Sequence, residues 1–379
     1  MAPIYLDYNA TTPVAPEVAD AMLPFLREHF GNPSSSHVYG QRTREAVARA
    51  RAKVAALIGA APAELVFTSC ATEANNLAIL GVARALRGRG RHLITSAIEH
   101  PAVARPMAHL AEEGWDVTVL PVDRAGRVLP SDLAAALRDD TVLVSVMHAN
   151  NEVGTLQPNA ELAAIAHARG ALFHTDAAQS VGKVRVDVTA LGVDLLTLAG
   201  HKFYAPKGVG ALFVRAGTPI GPIQFGAGQE GGLRPGTENV PHLVGLGAAA
   251  VLAKQRLPTI TDWLRRQRDA LHARLVAEVP GLALNGHPVE RLPNTLNLSF
   301  PGVSGRELLV HAPDIAASVG SACHEEGDAV SGVLGAMGVS AERAIGAVRL
   351  SLGAPTTDDD ISQAADTLVA AWRALVRGR

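Results

Sequence analysis

Short apolar, β-branched runs alternate with Ala/Leu/Arg-rich stretches of helical spacing through most of the chain. The runs Leu65–Ser69, His92–Ser96, Val117–Leu120, Val142–Val146, Ala171–Thr175, Val193–Leu198 and Val209–Val214 read as strands. Several are continuously apolar rather than alternating, as expected of strands covered on both faces. Helical stretches such as Thr72–Arg87, Leu133–Arg138 and Glu161–Arg169 follow many of them. This alternation predicts an α/β layer around a mostly parallel sheet. In such sheets ligands collect beyond the carboxyl ends of the strands, so the residues just after each strand carry the interest.

From about residue 255 the texture changes. A helix is expected over Thr261–Val279, then a strand over Thr295–Phe300 and a Gly/Ser/Cys segment over Val319–Gly327. A last helix begins near Asp358-Asp359-Asp360, whose charges suit a helix N-terminus. Ile361, Ala365, Leu368, Trp372 and Leu375 give it one apolar face. This portion reads as a second, smaller α+β unit. No repeat or low-complexity segment interrupts the chain.

Composition narrows the classes. With 379 residues, 48% hydrophobic, the chain can bury a large core in more than one lobe. A net charge of −2 with no basic block gives no footprint for nucleic acid, and none is expected as a partner. The N-terminus lacks the basic start and apolar run of a signal peptide. Leu243–Ala253 is too short and too Gly-interrupted to span a bilayer, so a cytoplasmic protein without a membrane partner is expected. Two cysteines, Cys70 and Cys323, are too few for a disulfide framework or a cysteine-rich metal site.

Three strand ends carry complementary chemistry. Thr197-Leu-Ala-Gly-His-Lys202 sets a lysine just past an apolar strand, where desolvation favours the reactive amine that condenses with an aldehyde. His174-Thr-Asp176 ends another strand with a carboxylate, the group that keeps a pyridine nitrogen protonated so the ring acts as an electron sink. Phe67-Thr-Ser-Cys-Ala-Thr-Glu73 runs from a strand into a helix whose first N–H groups can hold a phosphate. Each feature has an ordinary alternative: a surface lysine, a capping aspartate, a simple helix cap. Together they describe a pyridoxal-phosphate site.

The strings Tyr5-Leu-Asp-Tyr-Asn-Ala-Thr-Thr12, Gly31-Asn-Pro-Ser34, Thr68-Ser-Cys-Ala-Thr-Glu-Ala-Asn-Asn76, Glu99-His-Pro101, Asn150-Asn-Glu-Val-Gly154, Gly200-His-Lys202, Arg234-Pro-Gly-Thr-Glu-Asn239 and Gly320-Ser-Ala-Cys323 occur in this order. Over essentially its whole length the chain resembles the cysteine desulfurases, class V aminotransferases of fold type I. The resemblance implies a large pyridoxal 5'-phosphate-binding domain with a seven-stranded sheet over residues 16–255. It assigns 1–15 and 256–379 to a small domain carrying the cysteine loop. It implies that Lys202 bonds the cofactor, that Asp176 faces the pyridine nitrogen, and that Asn151 and Gln179 face the phenolic oxygen. His100 would stack on the ring and move protons, while Ala71, Thr72 and His201 would hold the phosphate. Thr237 would reach that phosphate from a neighbouring subunit, which implies a homodimer. Arg349 would pair the substrate carboxylate through its two parallel N–H bonds.

The implied reaction converts L-cysteine to L-alanine and leaves a persulfide on Cys323 for a sulfur-acceptor protein. His324 favours the reactive thiolate of Cys323, whereas Glu325, Glu326 and Asp328 oppose it, so activation is expected from substrate and cofactor. Ala199, Ala205, Ala354 and Cys70 stand where the family commonly has serine, glycine, arginine and glycine. Relatives serving the general iron–sulfur scaffold extend well beyond the equivalent of Arg379, which counts against that particular acceptor. A selenocysteine lyase, or a class V aminotransferase or carbon–sulfur lyase, fits most of the same motifs.

Overall fold

The computed structural model describes residues 3–320 and 331–378. The segment expected to carry Cys323 lies outside the described residues. Seven strands form the main sheet: β1 (Leu65–Thr68), β2 (His92–Ser96), β3 (Asp116–Leu120), β4 (Thr141–Ser145), β5 (Leu172–Asp176), β6 (Leu195–Ala199) and β7 (Gly210–Val214). Their spatial order is β1-β7-β6-β5-β4-β2-β3. β7 is antiparallel to both β1 and β6, and all other pairings are parallel. Every strand except β7 therefore points its carboxyl end to the same edge.

The continuous apolar runs are explained by burial on both faces. Leu93, Leu143, Leu195 and Leu212 pack on one side, and Ile94, Val144, Leu196 and Phe213, each the next residue, pack on the other. Successive strand side chains point to opposite faces. The first side is covered by the helices Ala71–Leu86 and Pro101–Glu112, the second by Val38–Ile58 and the start of a long helix, Val240–Glu278.

A second core surrounds a three-stranded antiparallel sheet of β8 (Ala283–Asn285), β9 (Thr295–Ser299) and β10 (Ala347–Ser351), with β9 central. The rest of the long helix and the helix Asp358–Arg377 pack on it. The N-terminal strand Ile4–Tyr5 pairs in parallel with Ile315–Ala316, and Leu6 is buried in this second core. The terminal helix opens with a capping box in which Thr357 and Asp360 exchange bonds.

The helix expected over Thr261–Val279 is longer than its sequence suggests, because Pro258 lies inside it without ending it. Proline removes one intrahelical bond. Here Lys254 and Pro258 are exposed, so water can reach the freed carbonyl. Among the described residues, no helix is long and apolar enough to cross a membrane.

The long helix approaches Val38–Ile58 closely at Gly247, where an added Cβ would lie 2.8 Å from the Cα of Ala50. Gly247→Leu is expected to cost about 1–3 kcal/mol of stability, seen as a lower denaturation midpoint. An unchanged midpoint would contradict this close packing.

Candidate active site

The common edge of the strands opens on a cavity of about 270 Å³. β6 leads through the tight turn Gly200–Lys202 to Lys202, whose Nζ donates to the carbonyls of Asn9 at 2.6 Å and Ala10 at 2.7 Å. The turn is completed by Tyr204, at a left-handed φ of 70°. Such a conformation costs a non-glycine residue about 1–2 kcal/mol. Tyr204 N donates to Thr12 Oγ1, and its carbonyl accepts from Ala15 N. The N-terminal segment thus holds both the turn and its lysine.

Asp176 ends β5 and is buried. Its Oδ2 accepts from Asn75 Nδ2 at 2.7 Å, and its Oδ1 from Ala178 N at 2.9 Å. Two donors on opposite oxygens fix the carboxylate plane. From β1 the chain enters the helix Ala71–Leu86 at Cys70, which makes no side-chain cap bond. The first-turn N–H groups, which have no intrahelical partner, stand at the cavity wall with Ala71 and Thr72.

His100 caps the helix Pro101–Glu112, its Nδ1 accepting from Ala102 N at 3.1 Å. The ring proton therefore sits on Nε2. Burial lowers the His100 pKa, with Lys202 adding to the effect and Asp176 opposing it. His201 is lowered to about 4 by burial and then by Lys202, Lys207 and Lys183, and its Nδ1 meets Thr11 Oγ1. Both imidazoles are neutral at physiological pH.

Arg349, on β10, is almost wholly buried. It donates to Asp7 Oδ1 at 2.7 Å and to the Asn151 carbonyl at 3.1 Å, while its Nε has no hydrogen-bond partner among the described residues. A guanidinium at a cavity wall suits an incoming anion.

The fold therefore brings together Ala71, Thr72, His100, Asn151, Asp176, Gln179, His201, Lys202 and Arg349 around one cavity. Thr237 is exposed and does not line it, and Cys323 is outside the described residues. Ala199 and Cys70 line the wall as well, and Ala354 N donates to Tyr204 Oη. Residues given no individual role in the sequence reading prove structural here: Asn9, Asp7, Asn75, Glu99 and Lys183. Asn9, Asp7, Asn75 and Glu99 lie inside motif strings already singled out; Lys183 shows only as a lysine four residues after Gln179.

Glu99 links the two loops beside His100 and Asn151, its Oε1 accepting from Ser96 Oγ and Met147 N. Burial pushes its carboxyl up to about 8 despite those bonds, and Asp176 adds to the rise.

The profile of the Aminotransferase class-V family matches residues 4–364. The chain is 48% identical over 367 residues to a cysteine desulfurase IscS of Dictyoglomus turgidum, covering 96% of this chain and 93% of that one. Over 364 residues it is 44% identical to a cysteine desulfurase of Homo sapiens, covering 95% and 80%. A solved structure described as a NifS-like protein superposes with a TM-score of 0.92 at 38% identity, over 99% of both chains. Another, described as SspA in complex with cysteine, gives 0.82 at 36% identity over 92% of this chain and 98% of that one. The chain belongs to the class V aminotransferases and, within them, to the cysteine desulfurases.

The Glu99 environment makes a stability prediction. The folded carboxyl stays protonated to about pH 8, whereas the unfolded one ionises in the ordinary range. A raised folded value means its contribution is full below the unfolded pKa and is lost as pH rises through about 8. The melting temperature of Glu99→Gln should therefore gain on that of the wild type between pH 5 and pH 9 (about these limits). Parallel curves across that range would show that Glu99 titrates normally.

Proposed function

We propose that the chain takes sulfur from L-cysteine, leaving L-alanine, with pyridoxal 5'-phosphate as cofactor. The carrying observation is that Lys202, the doubly bonded Asp176 carboxylate and the start of the Ala71–Leu86 helix meet at one cavity. A lysine amine, a fixed carboxylate and free helix N–H groups match the aldehyde, pyridine nitrogen and phosphate of that cofactor. When bound, the cofactor supplies an aldehyde for an amine and a ring that accepts an electron pair from the substrate carbon. Ala71 N–H, Thr72 and His201 would hold the phosphate, and Asn151 and Gln179 would face the phenolic oxygen.

The remaining chemistry belongs to the chain. Arg349 binds the substrate carboxylate, and its bond to Asp7 sets the guanidinium plane beforehand. Lys202 and His100 are the groups that move protons. The Cys323 thiolate forms an S–S bond to the substrate sulfur as the carbon–sulfur bond breaks. The electron pair stays with the substrate carbon, which a proton converts to alanine, and Cys323 keeps the persulfide. The role of Cys323 rests on the Gly320-Ser-Ala-Cys323 string and on the family.

In the same reading a second copy of the chain brings the exposed Thr237 to the phosphate, making the working unit a homodimer. The larger lobe is 16–255, and the smaller is 1–15 with 256–379, their boundary falling within the long helix. The persulfide passes to an acceptor protein in the cytoplasm, for iron–sulfur cluster assembly or a thio-modification.

Sulfide release from L-cysteine with a reductant tests the reading. Cys323→Ala and Lys202→Ala are both expected to abolish it, with the cofactor absorbance band lost only in Lys202→Ala. Wild-type turnover by Cys323→Ala would overturn the sulfur-acceptor role, and greater turnover of selenocysteine than cysteine would move the assignment to a selenocysteine lyase.

A further inference from the structure

Behind the cavity wall lies a second lysine, this one buried. Lys183 is only 6% exposed, and its Nζ donates to Gln179 Oε1 at 2.8 Å and Asn9 Oδ1 at 3.1 Å. Its backbone carbonyl accepts from Thr261 Oγ1 of the long helix, which anchors its position. The charged groups facing it, Lys202 and Arg349, are both cationic. Burial and these neighbours pull its amine well below the usual lysine range.

The two amides are oriented by contacts that permit only one assignment. Gln179 Nε2 lies 3.0 Å from the carbonyl oxygen of Asn9, and Asn9 Nδ2 lies 3.2 Å from that of Asn151. A carbonyl only accepts, so each nitrogen is the NH2 end and each amide oxygen faces Lys183. Lys183 is the donor to both, whether its amine is charged or neutral. One N–H of Gln179 is then used by Asn9, and the second is left as a donor at the cavity that Gln179 lines.

Resting on the cofactor assignment above, we propose that Lys183 is a positioning residue: it holds the Gln179 and Asn9 amides so that Gln179 presents N–H, never oxygen, to the phenolic oxygen of the cofactor. Gln179 in this orientation stabilises an anionic phenolic oxygen, which an inverted amide would repel. Asn9, held by the same lysine, carries the backbone carbonyl that receives Lys202. The lysine works through the two amides and not by contact with substrate.

Four measurements test this. In a crystal structure of cofactor-free Lys183→Met, the Gln179 carboxamide should leave its place against the Asn9 carbonyl; an unmoved Gln179 overturns the proposal. In the cofactor-loaded protein, the pH midpoint of the cofactor absorbance should rise by about one unit, since support for the anionic oxygen is lost. An unshifted midpoint counts against Lys183. Gln179→Met removes the same contact from the other side and should reproduce the rise even if Lys183→Met does not fold; an unmoved midpoint there is equally fatal. The double variant should shift no further than Gln179→Met alone, and additive shifts would show that Lys183 does not act through Gln179. A wild type that takes up no pyridoxal phosphate would sink the cofactor assignment, leaving the cofactor-free structure to decide on Lys183.

Discussion

Asn9 is buried to 1% exposure at the point where the N-terminal segment crosses between the two cores, and its polar atoms are engaged in both directions. Its carbonyl receives Lys202 and Gln179, its Oδ1 receives Lys183 and Asn294, and its Nδ2 donates to Asn151 and Thr295. Its own N–H goes to Ser351 on β10. A buried polar group is costly unless bonded, and a network this dense tolerates few alternative arrangements. The strand ends of the main sheet supply the chemistry, and Asn9, with the bonds of Arg349, Arg291 and Asn297 to the 151–153 loop, fixes where the small sheet stands relative to them.

The electrostatics follow from that closure. Lys202, Lys183 and Arg349 crowd the same region against the carboxylates Asp176 and Asp7. Each carboxylate is held by named donors, Asp176 by Asn75 and Ala178, Asp7 by Arg349. Burial holds the histidines nearby toward the neutral form. A phosphate and a carboxylate both suit a pocket where these basic groups gather.

Much of this was readable along the chain, for definable reasons. Every main-sheet strand but the half-exposed edge strand β3 is largely buried on both faces and leaves a mainly apolar run, and the expected and observed strands differ by no more than a residue or two at their ends. Lys202 and Asp176 follow such runs directly, which is why their positions could be argued from local sequence. The reversed direction of β7 has no signature of its own, because its run looks like any other. The long helix begins well before the expected Thr261 and runs through Pro258, whose lost intrahelical bond does not end it. The roles of Asn9, Asn75 and Lys183 depend on contacts reaching up to hundreds of residues, such as Asn9 to Ser351, and local pattern carries no trace of them.

We propose that Lys202 is the one lysine that bonds the cofactor, while the more deeply buried Lys183 only orients its neighbours. Borohydride reduction of the cofactor-loaded protein, followed by peptide mass spectrometry, reads this directly. The phosphopyridoxyl mass is expected on the peptide containing Lys202 and on no other. Its appearance on Lys183, or on no lysine, would contradict the account.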